Sequence, residues 1–293
     1  MTPRILFLGV GKMGLPMSRH LKTAGHTVQV HDLDPERMRL AHAAGLTLVS
    51  DPKEALQDAD VVISSLPNDA ALNSVAAWLA HLGHEKLIWI DTSTVSLQSS
   101  AHAAQQVAAR GVMHLRVTVS GNNHMAEAAQ LTVLASGPKD VFERMLPILK
   151  PWGPNQFYLG QGEQARLMKL VINLMIAQTS AMLSEAINLG QRGGLDWAQM
   201  WQVIGASAVG SPIVKAKAVQ LSQHDYTPTF TVHQMLKDIR LMMQAGEQLN
   251  VPLPQLAMTQ QLMRAAIAQG DGELDYAAII RAMTRASGQN TPS

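Results

Sequence analysis

The stretch GVGKMG (9–14) constrains the fold of this chain most strongly, because it joins a strand to a helix near the N-terminus. The apolar run RILFL before it is typical of a short buried strand, and LPMSRHLKTAG after it has helical spacing. Gly9, Gly11 and Gly14 would allow a tight turn, close approach of the backbone to a pyrophosphate, and close helix packing. The helix N-terminus would attract the phosphate charge. The pattern predicts a dinucleotide-binding turn, with Met13 beside the cofactor.

An acidic residue at the end of the second predicted strand, HTVQVHD, strengthens this prediction. Glycine turns between strands and helices are common, but Asp32 stands where an acid binds the adenosine ribose diol. Asp32 would repel the 2′-phosphate of NADP, and Leu33 offers no positive charge, although Arg37 and Arg39 could reach back from the next helix. We therefore expect NAD, with NADP as the alternative. Asp32 could instead cap the turn DLDPER, with Asp34 as the helix N-cap.

Strands and helices alternate through the first half of the chain. ADVVISSLP and KLIWIDTST read as further buried strands, with helical segments at 35–44 and 69–82. GVMHLRVTVS and LTVLASG add later strands, and 139–150 reads as a helix. This alternation predicts an α/β fold with a doubly wound parallel sheet, whose ligands lie at the carboxyl ends of the strands.

The pattern changes after the turns PWGP and GQG. One long helix, apolar on most sides, is predicted from Glu163 to about Gln191, and nearly all later segments are helical. A helix that is apolar all round is expected to be buried. We therefore predict a dinucleotide-binding domain over 1–161 and an all-α domain over 162–293.

Composition limits the classes of function. Apolar residues make up 47% and the net charge is only +1, so the chain can bury a large core and shows no basic block for nucleic acid. Cysteine is absent, which excludes disulfides and thiolate chemistry, and no carboxylate or histidine cluster predicts a metal site. The start does not resemble a signal peptide, and the charge-free apolar run between Lys169 and Glu185 is too short for a bilayer. We expect a soluble, cytoplasmic protein.

The run ARLMKLVINLM places Lys169 among apolar residues, with Asn173 four positions later. A charge in such surroundings is costly unless it is paired, hydrated or shifted in pKa. Positions i and i+4 share one helix face, so the two side chains could reach one ligand. Alternatively, the lysine extends to water over an asparagine at the helix edge.

Segments along nearly the whole chain have an order and spacing known from other proteins: FLGVGKMGLPMSRHLKTAGHTVQVHD, SSLPND, IDTSTVS, VTVSGNN, GQGEQARLMKLVIN and FTVHQMLKD. In these the chain resembles the β-hydroxyacid dehydrogenase family, which includes 3-hydroxyisobutyrate dehydrogenase and tartronate semialdehyde reductase. The resemblance implies a Rossmann domain, a long interdomain helix and an all-α C-terminal domain used for dimerisation. It also implies a small anionic substrate and a homodimer or homotetramer.

The resemblance implies catalytic roles for the two polar residues of the long helix. Lys169 would be the catalytic lysine and Asn173 would bind the substrate. Moving a hydride between an alcohol and nicotinamide also requires moving the hydroxyl proton. An exposed lysine is a poor base at neutral pH, and the apolar neighbours of Lys169 are expected to lower its pKa.

Cofactor contacts are implied at other positions. Thr94 resembles the residue beside the nicotinamide ribose, and Leu66 and Pro67 resemble the loop beside the cofactor. Lys237 resembles a second lysine that closes on the active site from the helical domain, near both cofactor and substrate. Each could instead be a strand-end turn or a solvated helix face.

The substrate loop departs from the family pattern. Ser120 and Gly121 resemble the start of a Ser-Gly-Gly loop that binds a substrate carboxylate, but Asn122 replaces the second glycine and could narrow the site or bind the substrate itself. Arg116 and Thr118 replace the Asp and Pro that usually precede this loop. These changes leave the substrate open.

The sequence thus predicts an NAD-dependent oxidoreductase that interconverts a small 3-hydroxy acid and its semialdehyde. An imine or bulkier-aldehyde reductase of the same fold is an alternative. A second alternative is a dinucleotide-binding scaffold without turnover, although the retained Lys169 and Asn173 favour an enzyme.

Overall fold

The computed structural model describes residues 2–289. The chain forms two compact units, one ending at Lys169 and the other beginning at Leu170. The domain boundary that the sequence predicts, after residue 161, stays a prediction. Residues 290–293, which were assigned to the helical domain, lie outside the described residues.

The first unit is built on one sheet. Within residues 2–289, eight strands pair in the order β3-β2-β1-β4-β5-β6-β7-β8. Neighbouring strands are parallel except β6 and β7, which are antiparallel. The strands are β1 (Arg4–Leu8), β2 (Thr27–His31), β3 (Thr47–Leu48), β4 (Val61–Ser64), β5 (Ile88–Asp91), β6 (Met113–Ser120), β7 (Thr132–Ser136) and β8 (Asn155–Tyr158).

Helices cover both faces of this sheet. Successive residues of β1 point to opposite faces, so Leu6 packs into one apolar cluster with Trp89, and Phe7 into another with Trp152. The helices are α1 (Gly14–Thr23), α2 (Pro35–Ala43), α3 (Pro52–Asp58), α4 (Asp69–Leu82), α5 (Leu97–Ala108), α6 (Asn123–Glu127) and α7 (Lys139–Leu149), the last followed by a short 3₁₀ helix (Lys150–Trp152).

The second unit is helical in its described part. Helix α8 (Gln164–Arg192) begins in the first unit and continues through the boundary. Helix α11 (Val232–Gln248) opens with a capping box, in which Thr231 and Gln234 satisfy each other's backbone N–H groups. The other helices described in this unit are α9 (Trp197–Ala206), α10 (Pro212–Leu221), α12 (Pro254–Ala268), a 3₁₀ helix (Tyr276–Ala278) and α13 (Ile279–Ala286). The predicted fold class is confirmed.

Three details differ from the sequence predictions, the first being that β6 and β7 pair antiparallel in a sheet that was expected to be parallel. Strands β3 and β8 were not predicted, since β3 has only two residues and β8 reads NQFY with partly exposed side chains. The expectation that α8 is buried on nearly all sides was wrong, because Val171, Met175, Met182 and Leu189 are exposed. By length and composition alone, α8 is also apolar enough to cross a membrane, as are many core helices of soluble proteins.

Candidate active site

The glycine turn between β1 and α1 is fixed by close backbone contacts. Gly9 has φ +90°, and a Cβ there would lie 2.3 Å from the Ser65 carbonyl oxygen. A Cβ at Gly14 would collide with the Gly9 carbonyl, so only glycine fits either position. By contrast, a Cβ at Gly11 would meet nothing within 4 Å, which leaves the backbone open to a ligand there.

The start of α1 suits an anion. Its N-cap is Met13, and among the described residues no side chain caps the first turn and no acidic residue stands in it. The backbone N–H groups and the positive end of the helix dipole are therefore available to a pyrophosphate. Together with the open side of Gly11, this donor set fits a dinucleotide.

Asp32 lies half-buried directly after β2. Its Oδ2 accepts a hydrogen bond from the Val10 N–H at 2.8 Å, and its Oδ1 accepts one from the Asp34 N–H at 2.9 Å. Asp34 in turn caps α2 by accepting from the Glu36 N–H. An ionised carboxylate has about four lone-pair sites, so Asp32 holds both turns and retains sites for ribose hydroxyls. Its role in ribose binding stays a prediction.

The other predicted cofactor residues follow the neighbouring strands β4 and β5. Leu66 and Pro67 come directly after β4. The Leu66 N–H donates a hydrogen bond to the Ser93 Oγ at 2.8 Å. Thr94 is half-buried after β5. Because β4 and β5 are parallel neighbours, these residues share the carboxyl edge of the sheet with the glycine turn.

Ser120, Gly121 and Asn122 lie at the end of β6, where Ser120 is half-buried and the other two are exposed. The Asn122 Oδ1 accepts a hydrogen bond from the Met125 N–H at 3.0 Å and so caps the short helix α6. Part of the Asn122 side chain is therefore used to hold the loop, a role that the sequence did not suggest.

The two replacements before this loop have a structural explanation. Arg116 forms an ion pair with Glu163, with 2.7 Å between Nη2 and Oε1, and both side chains are largely buried. The Thr118 hydroxyl donates to the Ala165 carbonyl at 2.9 Å. Both residues therefore fasten β6 to the segment that opens α8.

Lys169 and Asn173 lie one turn apart on α8, Lys169 half-buried and Asn173 buried. In the second unit, the Asn173 Nδ2 donates to the Asp238 Oδ2 at 2.7 Å. The Lys237 Nζ lies 2.9 Å from the Asp238 Oδ1 and forms an ion pair with it. Asp238 is 1% exposed, so it joins two predicted site residues from a buried position. Sequence reasoning missed this role, although the acid stands next to the lysine in LKD.

Comparison with known proteins identifies the family. Residues 4–160 match the NAD binding domain of 6-phosphogluconate dehydrogenase, and residues 160–283 match the NAD-binding region of NADP-dependent 3-hydroxyisobutyrate dehydrogenase. The chain belongs to the β-hydroxyacid dehydrogenase family. The family, the oxidoreductase class and a nicotinamide dinucleotide cofactor, all predicted from the sequence, are thereby confirmed.

Relatives in this family match over nearly the whole chain. The 2-(hydroxymethyl)glutarate dehydrogenase of Eubacterium barkeri is 30% identical over 97% of this chain and 96% of its own. Glyoxylate/succinic semialdehyde reductase 2 of Arabidopsis thaliana is 29% identical over 97% of this chain and 80% of its own. The solved structure of Mycobacterium tuberculosis 3-hydroxyisobutyrate dehydrogenase with L-serine has a TM-score of 0.87 at 26% identity, covering 97% and 99% of the two chains.

The individual site roles stay predictions. Within residues 2–289, no group of three or more His, Asp or Glu side chains is arranged to hold a metal ion. The family comparison supplies the cofactor class, and the residues described above are the ones that we expect to hold the cofactor.

Proposed function

We propose that this dehydrogenase interconverts a small 3-hydroxy acid and the matching semialdehyde, using NAD(H). The observation that carries the proposal is the helix face of Lys169 and Asn173, together with the buried Asp238 that holds the Asn173 amide at 2.7 Å. The names of the relatives, a hydroxymethylglutarate dehydrogenase and a succinic semialdehyde reductase, support an acidic substrate of this class.

When bound, the nicotinamide would supply the hydride chemistry that interconverts the alcohol and the carbonyl. In oxidation, Lys169, in its neutral form, accepts the proton that leaves the hydroxyl oxygen. In reduction, the protonated Lys169 returns a proton to the alkoxide oxygen. One group thus serves both directions, as a base in oxidation and as an acid in reduction.

Asp238 gives the Asn173 amide a fixed orientation. With one Nδ2–H donated to Asp238, the second Nδ2–H and the Oδ1 remain for the reacting oxygen and its neighbours. Asp238 also lies beside the Lys237 ammonium, so it orients one group for the substrate and one for closing the site.

The substrate carboxylate is assigned to the β6 loop. The half-buried Ser120 supplies a hydroxyl donor, while the exposed residues Gly121 and Asn122 supply backbone N–H donors. Since the Asn122 Oδ1 caps α6, its Nδ2 is the part of this side chain that can reach a substrate.

The choice of NAD over NADP rests on the residues after β2. Asp32 is an acid beside the ribose position, and Leu33 is 93% exposed and uncharged. The two cations that follow are engaged by acids: Arg39 makes two hydrogen bonds to Glu36, and the Arg37 Nε lies 4.0 Å from the Asp34 Oδ2.

A second copy of this chain is proposed to cover the exposed face of α8. Val171, Met175, Met182 and Leu189 lie on this face at intervals of four and seven residues, which is the spacing of a helix–helix seam. We infer a cytoplasmic homodimer or homotetramer. Met175→Glu and Met182→Glu together should lower the mass measured by sedimentation, while an unchanged mass would contradict this interface.

The experiment that tests the function is oxidation of NADH and NADPH by the purified protein with C3–C4 semialdehydes, bulkier aldehydes and cyclic imines. Turnover of a carboxylate semialdehyde with NADH is expected. Turnover of imines alone would support an imine reductase instead. Cofactor binding without turnover of any compound would support a non-catalytic scaffold.

A further inference from the structure

A fully buried ion pair lies at the carboxyl end of β5, next to the predicted cofactor loops. Arg166, in the first turn of α8, is 1% exposed and pairs through Nη2 with the Asp91 Oδ2, and Asp91 is completely buried. Neither residue was predicted to take part in the site. A buried charge pair requires good geometry and further hydrogen bonds to offset the loss of hydration.

Every acceptor site of the Asp91 carboxylate is used. Its Oδ1 accepts from the hydroxyls of Ser64 and Ser93, the latter at 2.7 Å. Its Oδ2 accepts from Arg166 and, at 3.3 Å, from the Ser93 N–H. A carboxylate has about four lone-pair sites, so Asp91 has no capacity left for substrate or cofactor.

The arginine reaches two further elements of the same unit. Its Nη1 donates to the Ser93 carbonyl and its Nε donates to the Ser100 hydroxyl of α5 at 3.2 Å. Arg166 therefore joins α8 to β5, to the loop after β5 and to α5 through three nitrogens of one planar group. A lysine has all its N–H donors on one nitrogen, so it could not span these acceptors.

Ser93 extends this network to the loop after β4. Its hydroxyl donates to Asp91 and accepts from the Leu66 N–H at 2.8 Å. Leu66, and Thr94 next to Ser93 in the chain, are among the residues predicted to lie beside the cofactor. Lys169 stands one turn after Arg166 on α8, and this whole chain of contacts lies within the first compact unit.

We propose that Arg166 is a positioning residue: through Asp91 and Ser93 it fixes the start of α8, and hence Lys169, relative to the two loops that contact the cofactor. The inference rests on the proposed function, because Lys169 is the group that it positions. Arg166 acts through its neighbours and touches neither substrate nor cofactor. A displacement of about 1 Å in such a scaffold can lower turnover by about 100-fold.

The test uses two variants and a matched control. Arg166→Lys keeps the charge pair but loses the simultaneous bonds to Ser93 and Ser100. Ser93→Ala keeps both charges and removes the link to Leu66, so it carries the test if Arg166→Lys does not fold. The control is Lys217→Gln, which breaks another buried ion pair, Lys217–Asp275, in the second unit.

Three measurements decide the outcome: kcat, the Kd for NADH and the rate of amide hydrogen exchange at Leu66. For Arg166→Lys and Ser93→Ala, kcat should fall about 10- to 100-fold while the Kd for NADH, from its fluorescence, changes by less than about threefold. Amide hydrogen exchange at Leu66 should become faster in both variants, and their effects on kcat should not add in the double variant. The control should lower Tm and leave kcat, the Kd for NADH and exchange at Leu66 unchanged.

Unchanged exchange at Leu66 in both variants, or an equal loss of kcat in the folded control, would overturn the positioning role. The proposed function fails separately, if the wild-type protein turns over no semialdehyde. Exchange at Leu66 needs no substrate, so it still decides whether Arg166 and Ser93 hold the cofactor loops.

Discussion

The ion pair Asp91–Arg166 in the first compact unit and the ion pair Lys217–Asp275 in the second are both deeply buried, but their surroundings differ. Asp91–Arg166 lies where the strands end, and its hydrogen bonds lead to loops that are predicted to contact the cofactor. Lys217–Asp275 connects α10 to the segment before the second 3₁₀ helix, and Asp275 also accepts from the Thr229 hydroxyl and the Ala277 N–H. A buried ion pair therefore supports the predicted cofactor loops in the first unit, and it supports helix packing in the second.

The largest predicted effect on stability separates these two uses. Lys217→Gln leaves the Asp275 carboxylate fully buried without its cation, which should lower the free energy of unfolding by about 3–5 kcal/mol. Chemical denaturation measures this loss, and kcat of the folded fraction should stay within about twofold of wild type. A large fall in kcat would mean that this pair also supports the site.

Asp238→Asn tests the predicted site residues of the second unit, Asn173 and Lys237. The change keeps the side-chain shape but removes the charge beside Lys237 and weakens the bond that orients Asn173. We expect kcat/KM to fall about 10- to 100-fold, corresponding to roughly 1.5–3 kcal/mol for a hydrogen bond to a charged group. Steady-state kinetics with the semialdehyde, at unchanged NADH affinity, checks this. Wild-type kinetics would remove Asp238 from the site.

His114 provides a pH test of the first unit. Its ring stacks on Trp89 with centroids 4.2 Å apart and is 5% exposed, and within the described chain neither ring nitrogen has a hydrogen-bond partner. Burial, with further repulsion from Arg116 and Arg166, holds the pKa of His114 well below its usual value. The unfolded chain therefore binds a proton more readily, so stability is lost as pH falls below the unfolded pKa of about 6.5.

The variant His114→Phe keeps the stacked ring and removes the titration. Between pH 6.5 and 5.5, the wild-type protein should lose up to about 1.4 kcal/mol per pH unit more stability than the variant. Denaturant titrations at both pH values measure the difference. Parallel pH dependence in the two proteins would show that His114 is not the responsible group.

The smallest predicted effect concerns cofactor choice. Leu33→Arg places a cation on an exposed position beside Asp32, where it can pair with a 2′-phosphate. The ratio of kcat/KM for NADPH to that for NADH should rise about fivefold, as expected for an exposed ion pair worth up to about 1 kcal/mol. An unchanged ratio would mean that the residues after β2 do not select the cofactor.

Periodic and local features could be predicted from the sequence. The buried strands were predicted from apolar runs, and α8 from a long apolar segment. The glycine turn was predicted from the spacing of its glycines between β1 and α1. Strand β3 was not predicted because two residues are too few to show a periodicity. Strand β8 was not predicted because its side chains are partly polar and exposed.

The contacts that organise the site could not be predicted in the same way. Arg166 and Asp91 are separated by 75 residues, Asn173 and Asp238 by 65, and Arg116 and Glu163 by 47. Each partner alone looks like an ordinary polar residue, and only the folded chain pairs them. The unusual Arg116 was visible in the sequence as a departure from the family, but its partner was not.

In the proposed function, Lys169 exchanges the proton with the substrate oxygen. The most direct test compares wild type and Lys169→Ala in reduction of a carboxylate semialdehyde with NADH, after NADH binding has been measured for both. We predict an unchanged Kd for NADH and a kcat lower by about 100- to 10,000-fold, the usual contribution of a general acid. A Lys169→Ala variant that binds NADH normally and turns over as fast as wild type would contradict the account.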